Sequence, residues 1–223
     1  MVSSNLSWSP QVANMVAKGR GAMAWVLSVF RSRDREPMLT LYKSLIRSHL
    51  EYCCPLWHPS KLADIELLEG VQREFTSKIN SQGNLSYWER LQDLGLLSLQ
   101  RRRERYIILI MWKILNNKIP NINVHFRPES RLGIQAIVPS LQPGSRALMQ
   151  SLYDDSFSVV GPMLWNTLPN KLTIIKSENT FKSKLTKLLR MLSDEPPVSG
   201  YARSNNNSLP EVLRGTDNRW SQL

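Results

Sequence analysis

The sequence predicts a mainly α protein: a helical bundle, then a smaller helical region, then a disordered tail. Three observations lead there. Apolar residues recur at helical spacing in five separate stretches. Prolines and polar residues interrupt the chain between those stretches rather than inside them. After Pro196-Pro197 the apolar pattern stops and the chain turns polar, with Asn205-Asn206-Asn207 in its midst.

Residues 10–31 carry Val12, Met15, Val16, Met23, Val26, Leu27 and Phe30 close to a 3.6-residue period. Gly19 and Gly21 weaken the middle of that helix by about 1 kcal/mol each, which makes it a place to bend. Pro37 suits a first helical position, and Leu41, Leu45, Ile46 and Leu50 form the buried face of a helix over 38–52. Pro55 and Pro59 bracket a break around Trp57. Ser60 is placed to cap a helix over 61–79, with Ile65, Leu68, Phe75 and Ile79 on one side. These three helices make a bundle over residues 1–80.

A second helical region, 81–192, follows the polar gap at Asn80 to Asn84. Ser86-Tyr87-Trp88-Glu89 has capping-box spacing, so a short helix starts there, and Gly95 ends it. Leu99, Tyr106, Ile110 and Ile114 share one face of a helix over 99–118, which stops before Pro120. An irregular connection at about 120–160, with one short strand, comes next. Ser177 is placed to cap a helix over 178–192, with Phe181, Leu185, Leu188 and Leu192 inward. Residues 193–223 read as the disordered tail.

The chain has 223 residues, enough for one domain or two small ones. Lys and Arg number 29 against 18 Asp and Glu, a net charge of +11. That balance attracts polyanions, usually nucleic acid or an acidic membrane surface. Cys53 and Cys54 are sequence neighbours, a poor arrangement for a structural disulfide, so a reducing compartment is expected. Tyr106 to Trp112 is the longest apolar run, far short of the ~20 residues a bilayer needs. Residues Ala22 to Phe30 run into Arg31-Ser32-Arg33 rather than a small-residue cleavage site. The expectation is an intracellular protein, in cytoplasm or nucleus, neither secreted nor transmembrane.

Arg101, Arg102, Arg103 and Arg105 open the helix at 99, and Lys182, Lys184, Lys187 and Arg190 decorate the last one. Such residues release condensed counterions when they meet phosphates, giving salt-sensitive affinity without sequence preference. Arg101, Arg102, Arg103, Arg105, Lys182, Lys184 and Lys187 are therefore candidate phosphate contacts, supported by Lys18 and Arg20. The bland alternative is that these are solvated helix faces with no partner. Trp57, Trp88, Trp112 and Trp165 have the faces to stack on bases. Each lies in or beside an apolar pattern, so core packing is the better reading. Trp165-Asn166-Thr167-Leu168-Pro169 reads as a structural corner in which Asn166 ties a turn.

Recognisable catalytic chemistry is missing. His49, His58 and His125 have no ligand or base partner at a known spacing, and Cys53-Cys54 with His49 and His58 lacks zinc spacing. No phosphate-cradling glycine loop or nucleophile elbow occurs. The sequence calls for no metal, no cofactor and no small-molecule substrate.

Ser156-Phe157-Ser158, then Gly161-Pro162-Met163-Leu164-Trp165-Asn166-Thr167-Leu168-Pro169, then Phe181-Lys182-Ser183-Lys184-Leu185 form the most distinctive stretch. Upstream lie Leu6-Ser7-Trp8-Ser9-Pro10, then Leu41 to Arg47 with Leu50-Glu51-Tyr52 and Trp57-His58-Pro59. Leu68 to Phe75, Tyr87 to Leu91 and Leu96 to Arg103 follow. Together and in this order, over roughly 6–192, these blocks resemble the thumb and post-thumb region of the reverse transcriptase of LINE-type, jockey-like non-LTR retrotransposons. Residues 193–223 match nothing in that pattern. The resemblance implies a polymerase-thumb-like bundle, a chain without the catalytic palm and hence without enzymatic activity, and RNA or DNA as the partner. Tyr153-Asp154-Asp155 superficially resembles the paired aspartates of reverse transcriptases. It lacks the one further residue the motif requires between tyrosine and aspartates, and no strand pattern surrounds it. Three functions stay open: a non-catalytic polymerase fragment with residual nucleic-acid affinity, a helical protein-interaction module, and an enzyme whose palm another chain supplies.

Overall fold

A computed structural model describes residues 8–59, 61–120, 124–130, 133–138, 156–195 and 207–214. Over these residues the protein is mainly helical. The chain divides into two compact units, Met1–Gln100 with Asp194–Asn205, and Arg101–Ser193 with Asn206–Leu223. The division falls at Gln100 and not at the polar gap near Asn80.

The first unit opens with α1 (Ser9–Val29), α2 (Arg35–Leu41), a π-helical turn (Tyr42–Ile46) and α3 (Arg47–Glu51). A short 3-10 turn (Cys54–Leu56) leads to α4 (Leu62–Thr76) and α5 (Tyr87–Asp93). Helix α2 begins at Arg35, with Asp34 in the N-cap position. Pro37 is thus the third helical residue, not the first, and its missing N–H is still one that no intrahelical carbonyl would meet. The π-turn keeps Tyr42 and Ile46 both in the core. The N-cap position of α4 is Lys61; Ser60, the expected cap, lies outside the described residues.

Helix α1 runs unbroken through Gly19 and packs on α3, the π-turn and α4. Gly19 serves close approach rather than a bend. A Cβ there would lie 2.7 Å from Leu50 Cδ2 and 3.6 Å from Val71 Cγ1. Around it the core is apolar, with Tyr42 stacked on Phe75 at 5.4 Å between ring centroids.

A buried polar network explains why the helix at 87–93 belongs with this bundle. The Tyr87 hydroxyl donates to Glu69 Oε2 at 2.7 Å and accepts from Gln72 Nε2 at 2.8 Å. Tyr42 donates to Gln72 Oε1. Burial, then the Glu69 charge, pushes the Tyr87 hydroxyl well above its ordinary pKa, so it stays a donor. The guanidinium groups of Arg73 and Arg90 lie 4.9 and 5.7 Å from the Tyr87 ring centroid. Helix α5 has the expected capping box, Ser86 accepting from Glu89 N and Glu89 accepting from Ser86 N. Gly95, at φ +63°, follows it.

Helix α6 (Leu99–Leu115) starts on two carboxylates. Ser98 donates from its backbone N and its hydroxyl to Asp194, at 2.7 and 2.6 Å. Gln100 N donates to Glu69 Oε1 at 2.9 Å. Both acids occupy N–H groups that the helix cannot satisfy itself and sit at the positive end of its dipole. At its far end Asn117 adopts a left-handed φ of +53°, two residues past the last helical residue.

From Arg101 onward α6 belongs to the second unit. There follow β1 (His125–Ser130), β2 (Gly133–Ile137), α7 (Phe157–Asn166), α8 (Asn170–Thr173), α9 (Glu178–Met191) and α10 (Leu209–Arg214). The region expected to hold one strand holds two, paired antiparallel with His125 opposite Ile137 and Arg127 opposite Gln135. Asn166 ties α7 to this hairpin rather than closing a local turn. Its Oδ1 accepts from Ala136 N at 2.9 Å and its Nδ2 donates to Ala136 O at 2.8 Å, as a neighbouring strand would. The core joins α6, α7 and α9, with Trp112 stacked on Phe181 at 5.7 Å and Trp165 beside Phe181 at 6.0 Å. Gly161 of α7 leaves room for Met111, whose Sδ would lie 2.8 Å from an added Cβ.

The expected tail is corrected where the structure describes it. Asp194 is buried as a cap, and 207–214 contain α10, with Leu209 and Leu213 in the core. The apolar pair Leu209 and Leu213, four residues apart, supplies the burial that an asparagine-rich composition obscures.

Candidate nucleic-acid interface

Helix α9 sorts its residues by face. Phe181, Leu185, Leu188 and Leu189 are buried, which turns Lys182, Lys184, Lys187 and Arg190 outward. Ser177 sits at the expected N-cap position but makes no side-chain capping bond. Beside α9 lies a groove of about 540 Å³. Its charge comes from Arg105 of α6 and from Lys182, Lys187 and Arg190 of α9, and its hydroxyls from Ser183 and Thr186. Met191 is also part of the lining, and among the described residues no carboxylate is.

Two contacts fix this geometry. Arg105 Nε donates to Thr186 Oγ1 at 3.3 Å, and Thr186 donates in turn to the Lys182 carbonyl at 2.7 Å. The tie joins Arg105 of α6 to Thr186 of α9. Lys182 Nζ lies 2.5 Å from Glu178 Oε1, and Lys113 Nζ lies 3.9 Å from the same oxygen. The Lys182 hydrogen bond holds the Glu178 carboxyl below its ordinary pKa. Among the described residues no acid pairs with Lys184, Lys187 or Arg190.

The expected phosphate contacts separate into distinct sets. Arg105, Lys182 and Lys187 meet in the groove, joined by Arg190. Lys184 is exposed on α9 outside the groove lining. Lys18 and Arg20 are exposed on α1 in the first unit. Arg102 is half-buried and turned to its own helix, donating to the Tyr106 hydroxyl at 3.0 Å with its guanidinium 5.6 Å from that ring centroid.

Arg101 and Arg103 are not phosphate contacts. They are 0 % and 1 % exposed. Arg101 Nη1 bonds Glu104 Oε2 at 3.0 Å, while its Nη2 donates to the Ser193 and Asn207 carbonyls at 3.2 and 2.9 Å. Glu104 Oε1 in turn accepts from Leu209 N, the first residue of α10, at 2.7 Å. This ion pair therefore gathers the end of α9 and the start of α10. The run of arginines hid its role because Arg101 and Glu104 lie three apart, on the face that helical geometry turns inward with Ile108 and Met111. Thr186 was missed because a threonine among lysines carries no charge signal.

Trp57, Trp112 and Trp165 are core residues. Trp57 Nε1 donates to the Tyr52 carbonyl at 2.9 Å and Trp112 Nε1 to the Ile175 carbonyl at 2.7 Å, so the indoles are satisfied internally. Trp88 is half-buried. A second cavity of about 390 Å³, in the first unit, contrasts with the groove. Its charged residues bond within it, Arg35 to Asp93 at 3.1 Å and Asn80 to Asp34 at 3.2 Å.

Asp154 and Asp155 lie outside the described residues. Among the described residues no group of three or more His, Cys, Asp or Glu is placed to hold a metal. No described helix is long and apolar enough to cross a membrane. No family model, curated protein or solved structure matches the chain.

Proposed function

We propose that this chain is a non-catalytic thumb and post-thumb region of a non-LTR retrotransposon reverse transcriptase, with weak, sequence-independent affinity for RNA or DNA. The observation that carries the binding half is the groove. Four cationic side chains from two helices line it, Lys182 is paired with Glu178, and among the described residues no carboxylate lines it. Such a surface neutralises phosphates and releases their counterions. The ordered resemblance of residues 6–192 supports the polymerase half.

Fluorescence anisotropy with a labelled duplex tests the binding. Log affinity should fall linearly with log salt, by about 0.9 for each phosphate neutralised. Lys187→Gln with Arg190→Gln should reduce that slope by about 1.8, weaken unrelated sequences equally, and leave helix content unchanged. No binding at low salt, or an unchanged slope in the double variant, would overturn it. Primer extension on an RNA template with Mg²⁺ tests the absence of activity, and template-dependent incorporation would refute it.

A protein-interaction module is the second reading, and exposed apolar residues of the first unit favour it. In the first unit Trp25, Tyr52 and Leu56 are 55 %, 66 % and 73 % exposed. Binding that survives loss of the groove charges but not Leu56→Ser would put this reading first.

A further inference from the structure

We infer that the groove recognises a linear chain of phosphates without using bases, so that its ligand class is phosphate polymers, phosphodiester or phosphoanhydride alike. The inference rests on the reading of this groove as a polyanion site and goes further in naming what is recognised. Single-stranded nucleic acids are ordinarily held by aromatic platforms as well as by charge. Among the described residues no aromatic side chain lines the groove. Three described aromatic residues of this unit are committed elsewhere. Trp112 and Trp165 are in the core, and the Tyr106 ring is covered by Arg102. Among the described residues the lining also has no side chain with the paired donor and acceptor of an amide, which suits an adenine edge.

What does line it has the spacing of a chain. Ser183, Lys187 and Arg190 stand at i, i+4 and i+7 on α9, a stripe about 10 Å long at 1.5 Å per residue. The stripe is therefore long enough to meet more than one phosphate of a strand at once. Arg105 faces the stripe from α6, its plane set by Thr186. The Thr186 hydroxyl is committed to the Lys182 carbonyl, whereas the Ser183 hydroxyl has no partner among the described residues and is a donor for a phosphate oxygen.

The test uses the full chain and three probes of equal charge at one salt concentration: a mixed-sequence single strand, the same strand made abasic, and inorganic polyphosphate. The two strands should bind within about twofold of each other, because even one stacked base would separate them by about fivefold or more. Polyphosphate should displace either strand. The single-strand salt slope should be about 0.7 for each phosphate neutralised. Lys187→Gln with Arg190→Gln should weaken all three probes by the same factor, and circular dichroism should show the fold retained. A base-bearing strand that binds tenfold tighter than the abasic one overturns the inference while leaving nucleic-acid binding in place, as does a failure of polyphosphate to compete. Polyphosphate binding without either strand removes the nucleic-acid reading and overturns the claim that phosphodiester and phosphoanhydride chains are bound alike. If no probe binds at low salt, both fall.

Discussion

The two units bury polar groups in different ways. The first encloses a network built around tyrosine and glutamine hydroxyl and amide groups with one carboxylate, Glu69, and leaves apolar residues such as Tyr52 and Leu56 outside. The second encloses the ion pair Arg101–Glu104 and leaves cations outside along α9. The difference teaches that charge in a sequence is not charge on a surface. Arg101 and Arg105 are one helical turn apart, yet one is sealed in the core and the other lines the groove. A guanidinium that loses water needs a carboxylate and carbonyls around it, and Arg101 has both.

The largest effect should come from breaking the second unit's pair. Arg101→Gln strands a buried Glu104 carboxylate and should cost roughly 3–5 kcal/mol by urea denaturation. An Arg101→Gln protein as stable as the parent would return this arginine to the solvated face.

The corresponding change in the first unit is milder. Tyr87→Phe removes the hydroxyl shared by Glu69 and Gln72 and should cost about 1–3 kcal/mol, since a buried group rather than a buried pair is disturbed. It carries a pH signature too. Because the folded Tyr87 holds its proton more tightly than an unfolded tyrosine, its contribution is complete below the ordinary tyrosine range near ~10. The contribution is lost as pH rises from there toward the raised folded value. Alkaline destabilisation that is the same in Tyr87→Phe as in the parent would show that the network does not set it.

Gly19→Ala should be smaller still. Forcing Leu50 aside from a 2.7 Å approach costs about 1–3 kcal/mol, and the better helix propensity of alanine returns about 1. A net gain in melting temperature would mean that α1 and α3 are loosely packed. The smallest effect lies on the surface of α5. The Ser86 side chain, then its backbone N–H, holds the Glu89 carboxyl below its ordinary value. The capping box therefore contributes fully above the carboxylate range and loses that contribution as pH falls through the lowered value. Ser86→Ala should cost about 1 kcal/mol at neutral pH and flatten this acid limb.

Much of this architecture was readable in the chain. Local rules sufficed where local forces dominate: the apolar stripe of Phe181, Leu185 and Leu188, the capping box at Ser86, and the left-handed Gly95 all depend on near neighbours. The site was readable only in part. Lys182, Lys187 and Arg190 fall out of α9's own periodicity, but nothing in sequence pairs Arg105 with Thr186 at a separation of 81 residues. Nor does an asparagine-rich end announce that Asn207 receives a buried arginine.

By itself, then, the sequence determined the helical class, the five long amphipathic segments and the excess of positive charge, because each follows from composition and short-range period. Tertiary structure alone decided which of four neighbouring arginines reach water, that Asp194 and Glu69 start α6, and that the strand pair at 125–137 docks on Asn166. The physical reason is that burial is a property of a packed neighbourhood. Arg101 and Arg105 carry the same group on the same helix, and only the packing around each decides whether its charge is consumed inside or set in the lining of a groove.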